Sequence, residues 1–316
     1  MTPQVESALA AAVDGLRALD LGDGFEPRAA AVIVEAGLHR LCVPLEAGGL
    51  GASMTDAARV LMALGAVDGA TALGFAMQVH VTGALRDATA FPEELGDRLW
   101  RAIVEGGALV NIAATEEGGG SPARGAVPGT TAQPDGEDGA WRLSGEKTWT
   151  TWLPNLTHAF VTARIGDGEP AEVGTFFVDL GTEEAEGRVD RRRGFEAMGM
   201  RGSASGRLGL SGAAAELVQR RRVDQPDPRG AAPGAWFGIA VAATYLGLGE
   251  GARTDVARWA IDRRPGDGSP AVADLPSVQL RLGRMDLELR AARTVVLDAA
   301  RRWDAHRDAA DIAVAK

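Results

Sequence analysis

The chain has 316 residues, of which 46% are hydrophobic and 24% are charged, and its net charge is −10. This length predicts two or three domains of a soluble globular protein. The acidic balance argues against nucleic acid as a main partner. A single cysteine, Cys42, excludes an internal disulfide and permits a reducing compartment. With no signal-peptide pattern and no apolar run long enough to span a bilayer, the sequence predicts a cytoplasmic protein without a membrane partner.

The first part of the chain carries apolar residues at helical spacing and predicts an all-α domain over residues 1–110. Ser53 is a plausible N-cap for one of its helices. His39 and His80 have no second ligand at metal spacing, so we interpret them as structural or interfacial histidines and predict no metal site. Helices are expected at residues 5–19, 27–36, 56–66, 70–88 and 92–105.

From Leu109 the helical period gives way to short β-prone runs separated by turn residues. This pattern predicts a β barrel or sandwich over residues 111–222, followed by a helical domain over residues 223–316. The arginine runs at 191–193 and 220–222 are interpreted as solvated faces. Strands are expected at residues 109–115, 130–131, 141–143, 147–152, 159–164, 173–178 and 207–210. C-terminal helices are expected at residues 235–263 and 275–304, and from 308 onward.

Two stretches of the β domain carry the residues of most chemical interest. The first reads N-I-A-A-T-E-E-G-G-G-S from Asn111, and the second reads W-R-L-S-G-E-K-T-W-T-T-W from Trp141. Residues i and i+2 of a strand share a face, so the Trp149 indole and the Thr151 hydroxyl are expected to point the same way. An aromatic plane beside hydroxyls and a glycine-rich turn suits a flat, polar ring system.

These stretches resemble the acyl-CoA dehydrogenase family, in which a T-E-P-x-x-G-S segment and a later W-I-T segment hold the isoalloxazine ring of FAD. Residues 115–121 and 149–151 take those places, and Gly145 and Lys147 match the family's G-x-K-x-W. The resemblance implies FAD as cofactor and an acyl-CoA or related thioester as partner. The cofactor-binding residues that it implies are Ile112, Ala114, Thr115, Gly120, Ser121, Trp149, Thr150, Thr151, Arg263 and Gln279.

The resemblance covers the whole chain, because the α–β–α order is that of the family. The segment M-G-M-R-G-S at residues 198–203 is similar to one near the family's acyl-CoA site, which implies Ser121 and Arg201 as substrate-binding residues. The segment Q-L-R-L-G-R-M at residues 279–285 resembles the start of a family helix whose Gln, with an Arg before the preceding loop, meets the FAD of a neighbouring subunit. Gln279 and Arg263 therefore imply a homodimer or homotetramer.

Three departures from the family pattern bear on activity. The family's R-x-x-F-G loop reads R-R-P-G-D-G and lacks its Phe, and the C-terminal bundle is expected to be incomplete at Lys316. The catalytic base is unknown, because one family position lies beyond Lys316 and the other matches Phe237 and Gly238. We therefore expect the chain as given to be weak or inactive as an acyl-CoA dehydrogenase.

We interpret the chain as an FAD-dependent oxidoreductase for α,β-dehydrogenation of an acyl thioester. Three alternatives stay open: a flavin oxidase or monooxygenase acting on another substrate, a non-catalytic or fragmentary paralogue, and a flavin-free subunit that binds CoA esters. Glu116 and Glu117 flank the site motif. Their expected role is to accept backbone N–H groups of the glycine turn rather than to act as a base.

Overall fold

Helices at both ends of the chain flank a mixed β sheet, which confirms the predicted fold class. The computed structural model describes residues 1–88, 90–118, 126–136, 139–193, 197–310 and 312–315. The helices before the sheet are α1 (Pro3–Arg17), α2 (Arg28–Glu35), α3 (Met54–Gly65), α4 (Gly69–Asp87) and α5 (Glu93–Gly106). Ser53 caps α3 as predicted, because its hydroxyl accepts the amide N–H of Asp56 at 3.1 Å.

The sheet closes on itself as a barrel. Its members are β1 (Val110–Ala113), β2 (Thr131–Asp135), β3 (Ala140–Thr150), β4 (His158–Ile165), β5 (Glu172–Asp179), β6 (Val189–Arg193) and β7 (Gly206–Arg222). One edge of β4 pairs in parallel with β1 and then β2, and the other pairs antiparallel with β5. Strand β7 joins β3 to both β6 and β5, so the pairings run in a ring. The closure leaves few free strand edges.

The structure differs from the expected elements in several places, and β7 extends well beyond the expected 207–210. The two runs expected at 141–143 and 147–152 are one strand, β3, which pairs with β7 through Gly145. Strand β6 and the short helix α6 (Leu180–Ala185) were not predicted. Strand β6 contains the arginine run that we interpreted as solvated. Alternation buries most of Arg191, which donates to the carbonyls of Leu153 and Leu156, and exposes Arg192.

Three helices follow the barrel: α7 (Ala232–Asp262), α8 (Pro276–His306) and α9 (Ile312–Ala315). By length and composition α7 could cross a membrane, so the expectation that no run is long enough was wrong. The first half of α7 instead packs against α3 and α4, and 56% of its most apolar window is buried. Such burial is typical of the core helix of a soluble protein.

One buried carboxylate joins α4, α7 and α8. Asp87, at the end of α4, accepts the indole N–H of Trp236 and of Trp303, each at 2.9 Å. The guanidinium groups of Arg86 and Arg307 each approach its other oxygen at 3.2 Å. Burial alone would raise the pKa of the Asp87 carboxyl, but the hydrogen bond from Trp303 and the neighbouring Arg86 outweigh it and lower that pKa.

A second carboxylate ties α8 to the start of α3. Asp304 accepts the amide N–H of Met54 and of Thr55, and also the hydroxyl of Thr55 at 2.6 Å. These N–H groups belong to the first turn of α3 and have no partner within that helix. The negative charge also suits the positive end of the helix dipole.

We predict that Asp87→Ala lowers the free energy of unfolding by about 3–5 kcal/mol, because it leaves two guanidinium and two indole donors without their shared acceptor. Chemical denaturation monitored by circular dichroism measures the loss. Asp298→Ala is the matched control on α8: its contacts with Arg301 and Arg302 are exposed, so it should cost less than about 1 kcal/mol. An equal cost for both variants would contradict the role given to Asp87.

The pH dependence of the same variants gives a second check. Because the folded-state pKa of Asp87 is lowered, its contribution to stability is fully present above its unfolded pKa and is lost as the pH falls through the folded value. The difference in unfolding free energy between wild type and Asp87→Ala should therefore shrink below about pH 4, the range in which an unfolded aspartate takes up its proton.

Candidate functional site

A backbone hydrogen bond brings the two motif stretches together. The amide N–H of Thr148 on β3 donates to the carbonyl of Thr115 at 2.8 Å. On the same side the Asn111 side chain donates to the carbonyl of Thr151 at 3.1 Å. Ile112, Ala114 and Thr115 are half-buried along this junction. Residues far apart in sequence thus form one continuous rim.

Trp149 stands out from this rim because the strand bulges beneath it. The pairing of β3 with β7 shifts register between Lys147 and Thr150, and Trp149 has φ 59°, in the left-handed region. Its side chain is 55% exposed, whereas Thr151 lies beyond the strand and is 8% exposed. The expectation that Trp149 and Thr151 share a strand face was therefore wrong. A bulge inserts an extra residue and breaks the alternation on which the expectation rested.

The next left-handed residue, Trp152, is an anchor. Its φ is 60° and its indole is buried against α4. A Cβ on Gly74 would lie 2.2 Å from the Trp152 ring, so only glycine permits this approach. The amide N–H of Trp152 also donates to the carbonyl of Ser203 at 2.8 Å. The turn after Trp149 is thereby fixed to both the helical layer and the barrel.

A row of hydroxyl groups continues from this turn. Thr151 Oγ1 lies 3.2 Å from Ser205 Oγ, which lies 3.0 Å from Ser203 Oγ. Thr150 Oγ1 is buried and has no hydrogen-bond partner within the described part of the chain. Arg201 begins the short helical turn that contains Ser203, and its half-exposed guanidinium lies 3.7 Å from the Asp23 carboxylate.

Glu116 forms a buried ion pair beneath the rim. Its carboxylate lies 2.5 Å from Lys147 Nζ and accepts the amides of Gly129 and Thr130 and the Thr130 hydroxyl. Burial alone would raise the pKa of Glu116, but the hydrogen bonds from Lys147 and Thr130 lower it to about 2. Among the described residues, the backbone N–H groups that Glu116 accepts are those of Gly129 and Thr130, and its expected contact with the glycine turn stays a prediction.

Glu117 points outward and pairs with Arg207 at 2.6 Å, which lowers the pKa of its carboxyl. Both acids next to the motif are thus ionised and engaged by cations at neutral pH. Neither is poised to take up a proton near pH 7. For Glu117 the described partner is the Arg207 side chain, so its expected contact with backbone N–H groups of the glycine turn stays a prediction.

Four predicted site residues lie away from this rim or outside the described structure. Gly120 and Ser121 lie outside the described residues. Arg263 and Gln279 are exposed at the end of α7 and the start of α8, and the amide of Val272 donates to the Arg263 carbonyl. Their contact with a neighbouring subunit's FAD stays a prediction.

Phe237, at one family position of the base, lies on α7 and packs edge-on against His80 with ring centroids 5.2 Å apart. Burial lowers the pKa of His80 to about 4, so this imidazole is neutral at pH 7. His39 instead contacts the Ile103 carbonyl at 3.0 Å. Across the ranges described above, no group of three or more His, Cys, Asp or Glu side chains could hold a metal ion.

Sequence reasoning missed several polar residues that build the rim. Asn111, Thr148, Ser203 and Ser205 hold it together through hydrogen bonds. The one available signal was Asn111, a polar residue at the start of an otherwise apolar strand. The exposed indole and the carbonyl and hydroxyl groups from three segments fit a flat ring with a polar edge.

Comparison with known proteins follows the same division of the chain. Sequence models of the acyl-CoA dehydrogenase N-terminal, middle and C-terminal domains match residues 9–90, 111–213 and 236–316. The putative acyl-CoA dehydrogenase YdbM of Bacillus subtilis is 32% identical over 85% of this chain and 68% of its own length. The amino sugar nitrososynthase RubN8 of Streptomyces rubradiris is 30% identical over 70% of this chain and 51% of its own length.

Solved structures agree with this picture. The butyryl-CoA dehydrogenase of Megasphaera elsdenii has a TM-score of 0.83 over 100% of this chain and 83% of that one, at 18% identity, and shows the shared fold. KijD3 in complex with FMN and a dTDP-linked amino deoxysugar has a TM-score of 0.78 over 96% of this chain and 74% of that one, at 26% identity. Three matching domains in order, together with a relative 32% identical, show that the chain belongs to the acyl-CoA dehydrogenase family.

Proposed function

We propose that this chain is an FAD-dependent oxidoreductase that dehydrogenates an acyl thioester between its α and β carbons. The observation that carries the proposal is the Thr148–Thr115 backbone hydrogen bond, which sets the half-exposed Trp149 indole beside the polar rim. Membership of the acyl-CoA dehydrogenase family and the FMN bound by KijD3 support a flavin at this rim.

The proposed roles of the residues follow from their exposure and chemistry. The exposed Trp149 indole offers a face on which a flat ring can stack. The Thr150 and Thr151 hydroxyls are buried behind it, so we propose that they meet the polar edge of the ring after a small local shift of this turn. Ile112, Ala114 and Thr115 contribute the part of the same rim that lies along the Thr148–Thr115 hydrogen bond. A bound flavin would accept the hydride that leaves the β-carbon. The half-exposed cation of Arg201 suits the phosphate groups of a CoA ester.

The described residues do not supply an evident base to remove the α-proton. Glu116 and Glu117 are held ionised by Lys147 and Arg207, and Phe237 places an apolar ring where some family members carry the base. A positioned base contributes about 10²–10⁴ in rate. We propose that residues 1–316 alone dehydrogenate a thioester slowly for this reason.

A flavin oxidase or monooxygenase that acts on another substrate is the second candidate. The apolar contact between Phe237 and His80 favours it, because such chemistry does not need a base for an α-proton at this position. The similarity to RubN8 and to KijD3 supports the same candidate. Oxygen consumption by the reduced, flavin-loaded protein distinguishes the two candidates, since fast consumption favours an oxidase or monooxygenase.

We predict that Trp149→Ala weakens FAD binding by about five-fold while leaving the melting temperature of the flavin-free protein nearly unchanged, because a stacked aromatic pair is worth about 1 kcal/mol and the exposed indole contributes little to the core. Fluorescence titration with FAD and thermal melts measure the two effects. Trp149→Phe keeps an aromatic plane and should retain most of the affinity. Equal losses of affinity and stability in Trp149→Ala would make this residue part of the core.

Anaerobic reduction of bound flavin by a panel of acyl-CoA esters tests the reaction itself. We predict slow bleaching by wild type and faster bleaching by Phe237→Glu, by up to about 10²-fold, because the carboxylate supplies the absent base. Phe237→Gln is the control of the same shape without the base and should stay slow. Rapid bleaching by wild type would show that another group removes the proton. Failure to retain any flavin would instead favour a non-catalytic paralogue or a flavin-free subunit that binds CoA esters.

A further inference from the structure

We infer that Glu116 and Lys147 act as a positioning pair that holds Trp149 in its left-handed conformation and so prepares the surface on which the flavin stacks. This inference rests on the proposed function, but it concerns residues that need not touch the flavin. The pair lies beside the junction of the two motif stretches. Glu116 follows Thr115, and Lys147 precedes Thr148, the two residues that share the backbone hydrogen bond.

The ion pair is a fixed point within the barrel. The Lys147 side chain is fully buried, and it reaches Glu116 at 2.5 Å and the Thr162 hydroxyl on β4 at 3.3 Å. The Glu116 side chain is 14% exposed, and its carboxylate accepts hydrogen bonds from the Gly129 and Thr130 amides as well as from Lys147. One carboxylate therefore connects the end of β1, the entry to β2, and β3.

A left-handed tryptophan requires such support. Residues other than glycine, asparagine and aspartate rarely adopt positive φ, because the Cβ of an L-residue crowds the following carbonyl group. Strain of this kind persists only where the surroundings fix the backbone on both sides. Here Lys147 and Thr148 fix the near side of Trp149, and the Trp152 amide and the Asn111–Thr151 hydrogen bond fix the far side.

The far side of the bulge is anchored by packing, whereas the near side depends on charge. Trp152 is wedged against Gly74, which substitution of Glu116 or Lys147 leaves untouched. Removing one partner of the ion pair would leave the other buried and unpaired, and the backbone around Thr148 would relax to solvate it. Such relaxation releases Trp149 to the extended conformation that β3 otherwise follows. The indole would then no longer stand at the rim.

The test compares Lys147→Met with Arg142→Met in the full chain. Arg142 lies on the same strand and pairs with Asp135 at 2.7 Å, but this ion pair is exposed and far along β3 from the bulge. Each protein is also made with Trp149→Phe, so that the difference in fluorescence isolates the emission of Trp149 from that of the other tryptophans. Acrylamide quenching of this difference signal reports the exposure of the indole without flavin, and an FAD titration reports affinity.

We expect Lys147→Met to change the quenching of Trp149 in the flavin-free protein and to weaken FAD binding by about ten-fold, because one charge of a buried pair is left without its partner. Arg142→Met should change both quantities by less than about two-fold, as is usual for a surface ion pair. A folded Lys147→Met protein with unchanged quenching of Trp149 would overturn the inference.

Glu116→Gln provides the second variant should Lys147→Met fail to fold. It keeps the shape of the side chain and an acceptor oxygen for Thr130 and Lys147, removes the negative charge that faces Lys147, and replaces the oxygen that accepts the Gly129 amide with an NH2 group. The same change in quenching is expected, and its absence overturns the inference. If the wild-type protein does not bind FAD, the proposed function is contradicted but the positioning role is not. Quenching of Trp149 is measured without flavin and therefore tests the positioning role separately.

Discussion

The carboxylate of Asp87 is the contact on which the arrangement of the layers depends. A single buried negative charge collects donors from α4, α7 and the end of α8, and so fixes α4 between the C-terminal helices and the barrel. On its opposite side α4 presents Gln78, whose oxygen accepts the Val110 amide of β1 at 2.7 Å. It also presents Gly74, against which Trp152 packs. The position of the candidate site therefore follows from the position of this one helix.

The composition of α4 explains how this helix can pack closely against both the barrel and the C-terminal helices. Nearly all of it from Gly69 to Leu85 is buried, and its glycines and alanines allow both the Trp152 and Trp236 rings to approach its backbone. A larger residue at Gly74 or Gly83 would collide with those rings. The helix thus forms a thin layer between the barrel and the C-terminal helices, and Gln78 in its middle and Asp87 at its end provide the directional contacts.

Periodicity was enough to predict the helical ends, the β centre and most element positions, because those features depend on local patterns of apolar residues. The two motifs also identified the segments that meet at the rim. The bulge at Trp149 was not predictable, since no local rule assigns positive φ to a tryptophan. The partners of Glu116 were missed for a different reason: Thr130 and Lys147 are distant in sequence, and only closure of the barrel brings them to one carboxylate. Strand β6 was not predicted because its three consecutive arginines were interpreted as a solvated surface.

The cap that Asp304 supplies to α3 has a consequence for synthesis of the chain. Thr55 and Asp304 are separated by 249 residues, so α3 leaves the ribosome long before its second cap exists. At roughly 5–20 residues per second, this interval is on the order of 10–50 s. During that time the first turn of α3 has only Ser53 as a capping side chain, and the apolar faces of α3 and α4 that later meet α7 stay uncovered. The N-terminal helices therefore keep an apolar surface in contact with water until α7 and α8 are made and cover it.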